Sequence, residues 1–174
     1  RNVQIYFPCE PTNCFVAICD DGDGMDSECL FQAMRYGSSD PNKERTENDL
    51  GRFGLGLKTA SLSQCRKLTV VSKSNASVSA YCWDLDYVKK TKDWDLLQLD
   101  LEEIQKLPCI SYLDDKAAGT IVLWENFDVI FKSTGDVFSS LDLHKSRCED
   151  YLSLIFHRFI NSKELKIRIN NFEL

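Results

Sequence analysis

The sequence contains no C-x-x-C pair, no apolar run long enough to cross a membrane, no internal repeat, no low-complexity tract and no excess of positive charge. Each absence removes a class of protein. Without paired short cysteine spacings, the eight scattered cysteines do not read as a zinc site. In a chain of 174 residues they do not read as the disulfide framework of a small secreted domain either. They are expected to be reduced thiols, several of them buried. The opening stretch "RNVQIYFPCEP" offers no signal peptide or membrane span, so a cytoplasmic protein without a membrane partner is expected. A net charge of -6 argues against a broad electrostatic grip on nucleic acid, so nucleic acid is expected as a partner through other domains alone. It leaves an anionic ligand possible, because backbone N–H groups hold phosphate without help from net charge.

What is present is ordinary globular composition, 43% hydrophobic and 28% charged, enough for one domain with a core. Val3, Ile5 and Phe7 alternate with polar neighbours and predict a strand, which returns as the apolar run "CFVAIC" at 14–19 in a hairpin. "DSECLFQAMRYG" predicts a helix with Asp26 as its N-cap and Gly37 at its end. Residues 38–50 are polar and read as a loop. A short helix follows the glycines at 51–56, and "KLTVVSKS" and "SVSAYCWDL" predict two strands joined near Asn75. "DWDLLQLDL" reads as a strand and "LEEIQKLP" as a short helix before Pro108. Then come a strand at 119–127, a helix at about 143–162 and a strand in "ELKIRIN". Strands interleaved with helices predict an α+β fold, a mainly antiparallel sheet with helices over one face.

Two stretches concentrate chemistry. "DDGDGM" at 20–25 places carboxylates and glycines where a buried strand leaves the core, a position favoured by functional residues. "GRFGLGLKT" at 51–59 places Gly51, Gly54 and Gly56 before a helix, whose free N–H groups and positive end suit an anion. Lys58 in that helix and Arg52 in the loop supply positive charge. Turn formation alone would also account for the glycines. The loop is not a Walker A motif, because Leu57 separates Gly56 from Lys58, and its G-x-x-G-x-G order is not the dinucleotide fingerprint. Nor is the acidic stretch an EF-hand: counted from Asp21, the sixth position is Asp26 and the twelfth is Gln32.

Taken together, D-x-G-x-G-M at Asp20, Gly22, Gly24 and Met25, a helix, a polar loop and G-x-x-G-x-G-x-K at Gly51 to Lys58 resemble the GHKL superfamily. That superfamily includes DNA gyrase B subunits, MutL mismatch-repair proteins, heat-shock chaperones, histidine kinases and microrchidia ATPases. The resemblance points toward bacterial ATP-binding proteins near the microrchidia and chaperone branches. Gly119 and Thr120 are similar to the family's late G-T motif. The resemblance implies a two-layer Bergerat sandwich that binds ATP with Mg²⁺. It implies that Asp20 accepts a hydrogen bond from the adenine amino group, that Gly22 and Gly24 let the backbone approach the base, and that Met25 lines the pocket. Residues 37–56 would form a lid whose Gly51, Gly54 and Gly56 wrap the phosphates, with Lys58 meeting them and Thr120 supporting the Asp20 side; Arg52, by its place in the loop, is expected to reach inward beside them. Asp21 and Asp23 are expected to be solvated or structural.

One departure bears on activity. The family's first motif, a helix carrying a catalytic glutamate and a Mg²⁺-binding asparagine, belongs upstream of the opening strand, and no later E-x-x-x-N helix replaces it. The N-terminal helix is therefore expected to be missing and the chain to be part of a longer ATPase that closes or dimerises around ATP. Hydrolysis by this chain alone is not expected. Residues 1–142 are expected to form the ATP-binding domain, with 143–174 closing it or opening a following domain. Two rivals stand beside this reading: a histidine-kinase catalytic domain, for which neither His144 nor His157 reads as a phosphoacceptor, and a degenerate, non-catalytic scaffold that keeps the fold but binds no nucleotide and serves as an interaction module.

Overall fold

β-Branched and aromatic residues recur in the longer strands, whose register brings distant motifs together. In the computed structural model, which describes residues 1–8, 14–35, 56–127 and 137–174, β1 (Asn2–Tyr6) and β2 (Phe15–Asp20) form the expected hairpin, pairing Val3 with Asp20. α1 spans Ser27–Met34, and Asp26 caps it by accepting the Cys29 N–H at 2.8 Å. It ends three residues before Gly37, with Arg35 already extended at φ -71° and ψ 143°. The cause is tertiary: the Trp83 indole N–H donates to Met34 O at 2.9 Å and Lys58 Nζ to Ala33 O at 2.6 Å, so the terminal carbonyls find partners outside the helix.

α2 (Gly56–Leu62) leads into β3 (Cys65–Ser74) and β4 (Ser77–Asp84). The turn between them holds Asn75 at φ 50° and Ala76 at φ 63°, the positive angles that a tight two-residue hairpin demands. Asp84 caps α3 (Leu85–Thr91), a helix that the sequence pattern did not reveal. Of "DWDLLQLDL", Leu97–Gln98 alone pairs, as β5. α4 (Leu101–Gln105) is set by a capping box between Asp100 and Glu103, and a 3₁₀ turn follows at Ile110–Leu113. The chain continues through β6 (Gly119–Phe127), α5 (Val137–Asn161), β7 (Lys166–Ile169) and β8 (Phe172–Glu173). α5 begins six residues ahead of the expected 143.

The strands form one sheet in the order β5-β4-β3-β6-β2-β1-β7-β8, antiparallel throughout except for β1 with β7. α1 and α2 cover Leu68, Val70 and Trp83, while α5 covers Ile5, Val16, Ile167 and Ile169 beside them. On the opposite face, α4 and the 3₁₀ turn lay Ile104 and Leu113 over Ala17, Cys19, Val71 and Ile121. Burial on both faces explains why β2 reads as a nearly continuous apolar run rather than an alternating one. Cys19, Cys65 and Cys82 are buried, Cys14, Cys109 and Cys148 are half-buried, and Cys29 is exposed on α1.

Candidate functional site

Asp20, Thr120 and Ser72 are consecutive cross-strand partners on β2, β6 and β3, so three polar side chains form a row at one end of the sheet. Asp20 is the last residue of β2, and its Oδ1 accepts the Gly22 N–H at 2.8 Å. A Cβ on Gly22 would lie 2.8 Å from that same oxygen, so the loop turns tightly over the carboxylate. Burial pushes the Asp20 carboxyl above its ordinary value of 3.8, and the Gly22 amide opposes that shift.

Two glycines permit the close packing around this row. Gly24 sits at φ +65°, and a Cβ there would fall 2.0 Å from Lys73 O, on the backbone of β3. A Cβ on Gly119 would fall 2.4 Å from Asp20 O, so β6 could not approach β2 as closely with any larger residue. The loop is fastened again at Met25, whose N–H donates to Ser72 Oγ at 2.8 Å, while its side chain packs toward the α1–α2 cluster. The Ser72 hydroxyl also lies 3.2 Å from Gly119 O and 3.0 Å from Thr120 Oγ1, and the residue is fully buried.

The remaining carboxylates have other work. Asp21 takes hydrogen bonds from the backbone and side chain of Asn2, which against the upward pull of burial hold it below 3.8. Asp23 is 97% exposed, 3.6 Å from the Arg1 guanidinium, as a solvated residue should be.

Lys58 and Gly56 fall in α2, while Gly51, Arg52 and Gly54 lie outside the described residues. Lys58 is 1% exposed and donates to Ala33 O, joining α2 to the carbonyl end of α1, where a cation is favourable. Burial lowers its pKa from the ordinary 10.5. A Cβ on Gly56 would meet no described atom within 4 Å. Among the described residues no cluster of histidine, cysteine, aspartate and glutamate is arranged to hold a metal ion, so none of them is assigned to Mg²⁺. His157 Nδ1 lies 2.8 Å from Leu154 O on exposed α5. A groove of about 670 Å³ beside the end of α1 is lined by Phe31, Trp83 and Trp94 and by no member of the Asp20 row.

Ser72 escaped the sequence reading. Its signal was a hydroxyl directly after the apolar pair Val70–Val71 in "KLTVVSKS", at a position where a buried strand would otherwise carry an aliphatic residue.

Known proteins bear on this arrangement. The sequence model of the family described as "Histidine kinase-, DNA gyrase B-, and HSP90-like ATPase" matches residues 1–120, from the opening strand to the Gly119–Thr120 pair. The chain belongs to this family. It is also 29% identical over 148 residues to Protein MICRORCHIDIA 7 of Arabidopsis thaliana, across 78% of this chain and 20% of that protein. This relative is a plant protein, where the sequence had suggested bacterial ones, and the chain spans about a fifth of its length. Among solved structures, the ATPase and transducer domains of DNA topoisomerase II from Balamuthia mandrillaris superpose with a TM-score of 0.56 at 12% identity, over 99% of this chain and 42% of that one. That likeness concerns the fold, the Bergerat α+β sandwich expected of a GHKL ATPase domain. No helix among the described residues is long and apolar enough to cross a membrane.

Proposed function

We propose that this GHKL domain binds an adenine nucleotide, with the base held at the Asp20 row, and that ATP binding drives a closure or dimerisation step in the longer protein. The observation that carries the reading is Asp20 itself: a partly buried carboxylate, oriented by the Gly22 amide at a strand end, beneath a loop drawn down on β3. A carboxylate fixed in this way accepts from the adenine amino group. The guanine carbonyl in that place would oppose acceptor to acceptor and leave both unpaired. Gly22 and Gly24 keep the loop thin beside the base, Met25 closes one wall, and Thr120 supports Asp20 from the adjacent strand.

The phosphate half rests on family membership and on the spacing of Gly51, Arg52, Gly54, Gly56 and Lys58. No described atom lies within 4 Å of a Cβ built on Gly56, which suits the approach of a phosphate. Lys58 would meet it by exchanging Ala33 O for a phosphate oxygen. Bound Mg²⁺ would neutralise phosphate charge, its protein ligand lying outside the residues assigned here.

Calorimetric titration of ADP, GDP and Mg·ATP tests the proposal. The chain should bind the adenine nucleotides saturably and GDP weakly. Asp20→Asn should weaken ADP binding by about 10–150-fold, the worth of a hydrogen bond to a charged group. A folded chain that binds neither nucleotide, or that retains its ADP affinity in Asp20→Asn, would overturn the assignment and leave the scaffold reading.

A further inference from the structure

Ser72 belongs to neither of the glycine motifs, yet it touches both ends of the adenine side of the site. The backbone of its neighbour Lys73 is the surface against which Gly24 packs, and its own hydroxyl receives the Met25 N–H. A hydroxyl has one proton and two acceptor lone pairs. The Met25 amide occupies one lone pair, while Gly119 O at 3.2 Å and Thr120 Oγ1 at 3.0 Å compete for the proton. If the proton goes to Gly119 O, Thr120 can donate to the second lone pair of Ser72. If it goes to Thr120 Oγ1, the Thr120 proton is released toward the Asp20 side. In either arrangement one fully buried oxygen ties the D-x-G-x-G-M loop to the G-T pair, across 47 and 48 residues of sequence.

We propose that Ser72 is the positioning residue of the adenine end, fixing the 22–25 loop on β3 and setting the direction of the Thr120 hydroxyl. The inference rests on the adenine reading above, and it adds the residue on which base affinity depends without touching the base. Aliphatic replacement leaves the Met25 N–H buried without its acceptor and frees the Thr120 hydroxyl to turn. The loss is confined to the base end, because none of the groups Ser72 holds belongs to the phosphate loop.

The test compares Ser72→Ala, Ser72→Cys and Ser72→Thr with the unaltered chain. ADP and inorganic tripolyphosphate serve as calorimetric probes, and amide hydrogen exchange is followed at Met25. The expected result is a fall of about tenfold in ADP affinity for Ser72→Ala, equal to one net hydrogen bond of about 1.4 kcal/mol, with tripolyphosphate binding unchanged. Ser72→Thr should restore ADP affinity, and Met25 exchange should quicken in Ser72→Ala alone of those two. Undiminished ADP affinity, or an equal loss for ADP and tripolyphosphate, would overturn the proposal, the second outcome marking a purely structural serine. If the unaltered chain binds no ADP, the adenine reading fails separately, and Met25 exchange still decides whether Ser72 holds the loop. Should Ser72→Ala not fold, Ser72→Cys carries the same comparison at nearly constant volume.

Discussion

Gly24 shows how one atom governs the site. The Cβ it lacks would sit 2.0 Å from Lys73 O at a backbone angle of +65°, so alanine there meets both a steric and a conformational penalty. Gly24→Ala is expected to lower unfolding free energy by about 1–3 kcal/mol, the range for strained backbone, and to lift the loop from β3 so that ADP affinity falls too. A urea melt with an unchanged midpoint would contradict the observed packing. The requirement for glycine was legible in the sequence, because D-x-G-x-G at a strand end already signals close approach. The surface approached was not, because Lys73 lies far along the chain and nothing local names it.

At the scale of elements, α1 and α2 are joined through Lys58, whose Nζ donates to Ala33 O at 2.6 Å. Burial lowers the Lys58 pKa from 10.5, so the folded state releases its proton earlier than the unfolded chain does. Between the folded value and 10.5 the unfolded chain therefore binds more protons, and stability rises with pH across that window. Lys58→Met keeps the volume, removes the titrating group and leaves Ala33 O without this donor. Urea melts from neutral pH upward should show a loss of about 1–3 kcal/mol at neutral pH and a weaker rise toward 10.5 than in the unaltered chain. A variant that retains the full rise would assign it to another group. The boundaries of α1 teach a related lesson. Its start at Asp26 was readable, since capping is a contact three residues long, whereas its end at Met34 was set by Trp83 and Lys58 from other elements.

Over the whole molecule, the sheet is buried through its central strands, is exposed at its edge strands β5 and β8, and includes β7, which runs parallel to β1 with Ile169 opposite Ile5. We expect residues 137–174 to unfold together with the rest, because Ile167 and Ile169 share a cluster with Ile5, Phe7 and Val16 of the first hairpin. Ile169 is fully buried, and Ile169→Ala should cost about 2–5 kcal/mol while preserving a single cooperative transition. Two separate transitions in calorimetry would instead make the C-terminal helix and strands an independent unit.

The sequence by itself determined what depends on neighbours a few residues apart: the D-x-G-x-G-M turn, the G-x-x-G-x-G-x-K spacing, the Asp26 cap, the β3–β4 hairpin and hence the GHKL family. These are short-range matters of backbone freedom, capping and periodicity. Tertiary structure decided which residues meet across strands and helices: Ser72 beside Thr120, Gly24 on Lys73, Lys58 at the end of α1, and α4 with the 3₁₀ turn over the second face. The physical reason is register. Pairing between β3, β6 and β2 is fixed by packing over the entire sheet, and a slip of one residue would turn Ser72 to the other face.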